Sequence, residues 1–236
     1  MNNEILNKNK DLFLKTLSDL YVEAAKKDLK NLCMNSGSEM IDESRIVFSF
    51  YNDFYVFDKS VAKIFKVDSS IDWGISVSAN EGNKNNEELI NKFKSPGIAG
   101  NDILDNYSSA LALSYLNTSD GAGVSKDWIT YGELKDGMFY AGTIPKALKP
   151  VCKSFENDFS GFLKKARTIG GHESAQFKNA VIINPFKRFP MMFMLYEKDN
   201  EFECEVKVLF SRSANHYLKT DVIKQILVHT VNKLTS

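Results

Sequence analysis

Five polar side chains in the last third of the chain have the types needed to grip an anion: His172, Glu173, Arg188, Arg212 and His216. They follow turn or cap signals beside apolar segments, so a sheet folding between them would bring them to one end. Two guanidinium groups pair in bidentate fashion with a carboxylate or phosphate, and two imidazoles add protons that move near neutral pH. Trp128 and Tyr131 would supply an apolar wall for the same ligand. The expected ligand-binding set is therefore Trp128, Tyr131, His172, Arg188, Arg212 and His216. The plainer alternative leaves the two histidines, Glu173 and the two arginines as unconnected, solvated loop residues.

Other chemistries find less support. His172, Glu173 and His216 lack the spacing of metal ligands. Gly121-Ala122-Gly123 has no third glycine at Lys126 and follows a helix, so the dinucleotide fingerprint fails. There is no G-x-S-x-G, and Ser211 and Ser213 have no acid and histidine partners that spacing can name. Cys152 beside Pro150 and Cys204 on an alternating strand read as core residues of low reactivity. An enzyme, a hydrolase or transferase acting on an anionic small molecule, would need Glu173 or Glu133 as base beside an arginine clamp, with a raised carboxyl pKa. No catalytic residue or cofactor is assigned. His229, two residues from Leu227 and from Val231, is expected at the surface or rim.

The elements that must position these groups are legible from periodicity. In residues 189–196 both alternating sets are apolar: Phe189, Met191, Phe193 and Leu195 against Pro190, Met192, Met194 and Tyr196. A strand covered on both faces, near the centre of a sheet, has that pattern. Residues 201–210 alternate instead, with Phe202, Cys204, Val206, Val208 and Phe210 on one side and Glu201, Glu203, Glu205 and Lys207 on the other. Lys198-Asp199-Asn200 is the expected hairpin turn between them. Further strands are expected at 45–50, 54–57, 61–68, 73–78 and 181–184. A hairpin of 128–134 and 138–142 is expected about Lys135-Asp136-Gly137.

Helices are expected over 10–32, over 102–117, in pieces over 143–156 around Pro145 and Pro150, and from Phe155 to a Gly170-Gly171 cap. The last runs from Thr220 to Leu234, burying Ile223, Ile226, Leu227 and Val231. Residues 79–100, rich in Gly and Asn, read as a polar surface excursion that could serve as a lid. Strands and helices fall in blocks, so the expected class is α+β: one domain over 1–236, a mostly antiparallel sheet packed against helices.

Composition narrows the partners. Thirty basic residues balance thirty acidic ones and the pI is about 6.8, without the basic block of a nucleic-acid binder. Three separated cysteines (Cys33, Cys152 and Cys204) argue against a disulfide framework. No apolar run resembles a signal peptide or a membrane span, so a cytoplasmic location is expected. The aromatic group Trp128, Tyr131, Phe139 and Tyr140 suits a core, an apolar pocket or a homodimer face, and the 201–210 edge offers a second route to a dimer.

The second half carries the stretches ALALSYL, DWITYGELKDGMFY, TIGG, FKRFPMMFMLYEKDNEF and VLFSRSANHYLKTDVI, spanning residues 103–225. In these it resembles a domain family of unknown function from anaerobic bacteria and methanogenic archaea. The family pattern corresponds to Tyr115-Leu116, Trp128-Ile129, Glu133-Leu134, Gly170-Gly171, Arg188-Phe189-Pro190, Glu201-Phe202, Leu209-Phe210 and Tyr217-Leu218. This chain departs from it at Ser211, where the family has an aspartate, and at His172-Glu173-Ser174, where it has Gly-Asp. Some relatives carry a small iron–sulfur cluster domain, for which the three separated cysteines here are not expected to provide ligands, and some lie among corrinoid and one-carbon metabolism proteins. The resemblance thus implies a cytosolic ligand-binding or accessory protein, with a small anionic ligand or cofactor as its partner.

Overall fold

The computed structural model describes residues 2–67 and 102–236. The strand expected at 73–78 and the excursion at 79–100 lie outside these residues. Among the described residues are six α-helices and two antiparallel sheets, an α+β fold.

The expected amino-terminal helix is two, α1 (Asn2–Lys26) and α2 (Leu29–Ser36). Asp28 makes the break, because its carboxylate accepts the Asn31 N–H at 2.9 Å and so starts a new helix. Gly37 ends α2 with a φ of 76°, a left-handed conformation that costs a glycine little. The first sheet runs β1 (Glu39–Met40), β2 (Arg45–Phe50), β3 (Asp53–Asp58), β4 (Lys63–Lys66) in chain order. Its β2–β3 turn is Tyr51-Asn52, with Phe50 opposite Asp53.

Helix α3 (Asn106–Thr118) opens at Asp105, whose carboxylate accepts the N–H groups of Tyr107 and Ser108, each at 3.0 Å. Asp105→Ala is expected to lose about 1 kcal/mol. The urea midpoint should fall at unchanged slope.

The second sheet has the order β5-β9-β8-β7-β6. Its strands are β5 (Trp128–Ile129), β6 (His172–Glu173), β7 (Ala180–Phe186), β8 (Phe189–Tyr196) and β9 (Glu205–Ser211). The doubly apolar strand β8 is central, as its pattern requires. On β9, Val206, Val208 and Phe210 are buried while Glu205 and Lys207 are exposed. The alternation does not extend back to 201. Asp199 accepts the N–H groups of Glu201 and Phe202 at 2.8 and 2.7 Å, and this local turn leaves Phe202 69% exposed.

The hairpin expected over 128–142 does not form. Strand β5 lasts two residues, then 3-10 turns follow at Tyr131–Glu133, Gly137–Phe139 and Ala141–Thr143. The Glu133 carboxylate reaches back to the Thr130 N–H and hydroxyl, both at 2.8 Å, and bends the chain away from the sheet. Gly137 is required in this coil, since a Cβ there would sit 1.9 Å from the Tyr131 carbonyl oxygen. Helix α4 (Ile144–Phe155) runs unbroken through Pro150. Lys146 and Pro150 are both exposed, so water can take the carbonyl left without a donor.

Helix α5 (Phe159–Thr168) starts at Asp158 and ends before Gly170, at φ 81°. Helix α6 (Thr220–Thr235) buries Ile223, Ile226, Leu227 and Val231. Lys219 takes its N-cap position rather than Thr220, whose hydroxyl donates to the Lys135 carbonyl instead.

One hydrophobic core spans both sheets. At the seam, the Tyr51 N–H donates to the Pro185 carbonyl at 2.8 Å, and Phe186 stacks on Phe50 and Tyr115. Among the described residues no helix is long and apolar enough to cross a membrane.

Candidate functional site

The structure does not gather the six expected ligand-binding residues. Trp128 on β5 and His172 on β6 occupy opposite edges of a five-stranded sheet, roughly 19 Å apart at four strand spacings. Arg188, Arg212 and His216 lie toward the end where β8 begins and β9 finishes, each with its own partner. The Arg188 guanidinium donates to the Asn35 carbonyl at 3.1 Å, and its backbone N–H donates to the Tyr115 hydroxyl at 3.3 Å. Arg212 Nε stands 3.7 Å from Asp127, and His216 Nδ1 is 2.7 Å from Asp120. The bond to His216 holds the Asp120 carboxyl below its usual range. Tyr131 is buried, and its hydroxyl donates to the Thr220 carbonyl at 2.9 Å.

Tyr131 nonetheless lines the site that the fold builds, a groove of about 780 Å³ between α4 and β9. Helix α4 presents two rows at i, i+4 spacing: Ile144, Leu148 and Cys152, then Pro145, Lys149 and Lys153. Strand β9 presents Glu205 to Leu209, and Thr130 to Gly132 close one end. The lining is mostly apolar. Its acids are already engaged, because Lys198 bridges Glu156 at 3.5 Å and Glu203 at 3.1 Å, while Lys207 pairs with Glu205 at 3.5 Å. Lys149 and Lys153, one turn apart, have no acidic partner among the described residues, where the groove's acids pair with Lys198 and Lys207. Beside the lining segments the chain exposes large apolar side chains: Met138 (80%) and Phe139 (85%) before Ala141, and Phe202 (69%) before Glu203.

Cys152 and Cys204, half-buried and packed against the core, meet where it borders this groove, with the Cys152 thiol donating to the Cys204 carbonyl at 3.3 Å. Burial, reinforced by the Cys152 thiol and by Glu156 and Glu197, pushes the Cys204 thiol up to about 12. It therefore stays protonated and is a poor nucleophile at neutral pH. Glu133, weighed above as a base, is held below the usual carboxylate range by its bonds to Thr130. That is the opposite of the shift a general base needs. Glu173 is exposed on edge strand β6. Among the described residues no three His, Cys, Asp or Glu side chains gather as metal ligands do.

His229 is half-buried rather than fully at the surface, with its ring turned to the seam. Its ring stacks on Phe50 at 5.4 Å, and Nδ1 lies 2.9 Å from the Tyr51 hydroxyl. Its Nε2 lies 3.4 Å from Ser108 Oγ. Burial first, then the Lys233 charge, lower its pKa to about 4. So weak a base is poorly matched to activating Ser108 near pH 7. The cluster ties the β2–β3 turn to α3 and α6.

Sequence reasoning missed Lys149, Lys153, Leu148, Val206 and Val208 as neighbours of one cleft. The signal available was the alternating edge at 201–210 and the i, i+4 row on α4. Neither says which helix lies beside which strand.

Fold and groove together define an α+β protein of two antiparallel sheets sharing one core, with a cleft between a helix and a strand. The chain belongs to the family described as Domain of unknown function (DUF3786), which matches residues 88–233. No curated protein and no solved structure matches it.

Proposed function

We propose that this chain is a non-catalytic ligand-binding or accessory protein whose site is the groove between α4 and β9. The supporting observation is a mostly apolar cleft of about 780 Å³, within the range of small-molecule sites, lined by two lysines without acidic partners among the described residues. Apolar walls shed water around the body of a ligand, and Lys149 and Lys153 attract a negative group on it. The ligand class is an anion joined to an apolar body. The family resemblance to proteins near corrinoid and one-carbon metabolism makes cobamides, and then haem and nucleotides, the natural compounds to try first.

The test uses 8-anilinonaphthalene-1-sulfonate, an apolar ring system with one negative charge. Its fluorescence titration should saturate with the native protein. The Lys149→Glu/Lys153→Glu variant should weaken binding at least ~10-fold, as two reversed charges at short range can do. An unchanged titration for that variant removes the reading. So does an absence of melting shift with every anionic apolar compound tried.

A further inference from the structure

The groove has a second property, carried by backbone rather than side chains. β5 pairs with β9 only at Trp128↔Ser211 and Ile129↔Phe210. The Arg212 N–H donates to the Asp127 carbonyl at 2.9 Å, so the even-numbered residues of β9 direct their N–H and C=O groups toward the β5 side. Phe210 spends its groups on Ile129. Val206 and Val208 come next on the same side, where β5 has already turned away at Thr130. Their outward N–H and C=O groups have no partner among the described residues, and both valines line the groove. Helix α4 packs on the Val206 and Val208 side chains, so what stays open is the backbone edge of β9 beside it, and an open strand edge along a groove is the arrangement that accepts an added strand.

We infer that the natural occupant is an extended acidic peptide that adds to the Glu205–Leu209 edge of β9, on the line that β5 leaves. This rests on the binding reading above and names its ligand class. Backbone pairing to Val206 and Val208 supplies position. Alternate apolar side chains of the peptide meet Ile144, Leu148 and Tyr131, and its carboxylates meet Lys149 and Lys153. The exposed Met138, Phe139 and Phe202 give a protein partner apolar surface beyond the groove itself, which a small ligand would leave bare.

The experiment measures fluorescence anisotropy of a labelled eight-residue peptide alternating valine and glutamate. Two controls accompany it: the same peptide with alternate backbone nitrogens methylated, and one with lysine for glutamate. The native protein should bind the first peptide. Methylation in the register that faces β9 should weaken binding at least ~10-fold, and charge inversion should do the same. Equal binding of the methylated peptides in both registers overturns strand addition, as does no binding of the acidic peptide. If the sulfonate probe still binds in a manner sensitive to Lys149 and Lys153, only the peptide inference falls. If neither binds, both readings fall. A dimer in light scattering whose groove excludes the peptide also overturns it, assigning the edge to a second copy of the chain.

Discussion

Phe186→Ala is expected to destabilise the protein by about 3–5 kcal/mol, the range for emptying a buried aromatic site. The melting temperature should fall by roughly 10 °C for a chain of this size. Phe186 is fully buried at the junction of the two sheets. Its ring lies 4.2 Å from Tyr115 with planes 7° apart, and 4.9 Å from Phe50 at 17°. One side therefore belongs to β2 and the other to α3. The site resists collapse, because the backbones that frame it are held by the Tyr51 N–H to Pro185 bond and by the β7–β8 ladder. Phe177→Ala, at an exposed aromatic, should move stability by no more than ~0.5 kcal/mol. A calorimetric shift for Phe186→Ala as small as that of Phe177→Ala would show that the seam contributes little.

Acid should loosen the same region through His229. Its folded pKa of about 4 lies below the ordinary 6.5. Between those values the unfolded chain binds a proton that the folded chain refuses, so stability rises with pH across that window. It is fully present above about pH 6.5, declines as the pH falls, and levels off below about 4. The ring is partly open to solvent, which screens the charge, so the loss is on the order of 1–2 kcal/mol. Denaturation midpoints at pH 7.0 and pH 4.5 measure it. His229→Gln keeps a polar side chain without the titration and should abolish most of the difference between the two pH values. If wild type and variant lose equal stability, the carboxylates alone account for acid sensitivity.

Periodicity located most of the secondary structure for a simple reason: each strand or helix buries a face, and burial leaves a repeat of two or of three to four residues. β8 shows this directly, with apolar residues on both sides because both faces of this central strand are largely covered, as the buried Met191, Met192 and Phe193 show. Where local hydrogen bonds compete with the repeat, the reading failed. Asp28 divides a pattern that looks like one helix. Asp199 curls Phe202 out of an alternating run, and Glu133 turns the chain after β5 although Asp136-Gly137 looked like a hairpin. A carboxylate accepting a nearby N–H leaves no mark on hydrophobic spacing.

The order of residues by itself determined the α+β class, the central strand, the terminal helix and membership of a family without an assigned reaction. Tertiary structure alone decided which ends of those elements meet. It set Trp128 and His172 on opposite edges, turned His229 inward, and laid α4 along the open side of β9. The physical reason is that amphipathic patterning fixes which face of an element is buried, whereas its neighbour is chosen by strand order and helix packing over the whole chain. The lysines of α4 and the open edge of β9 meet in one groove only through that choice.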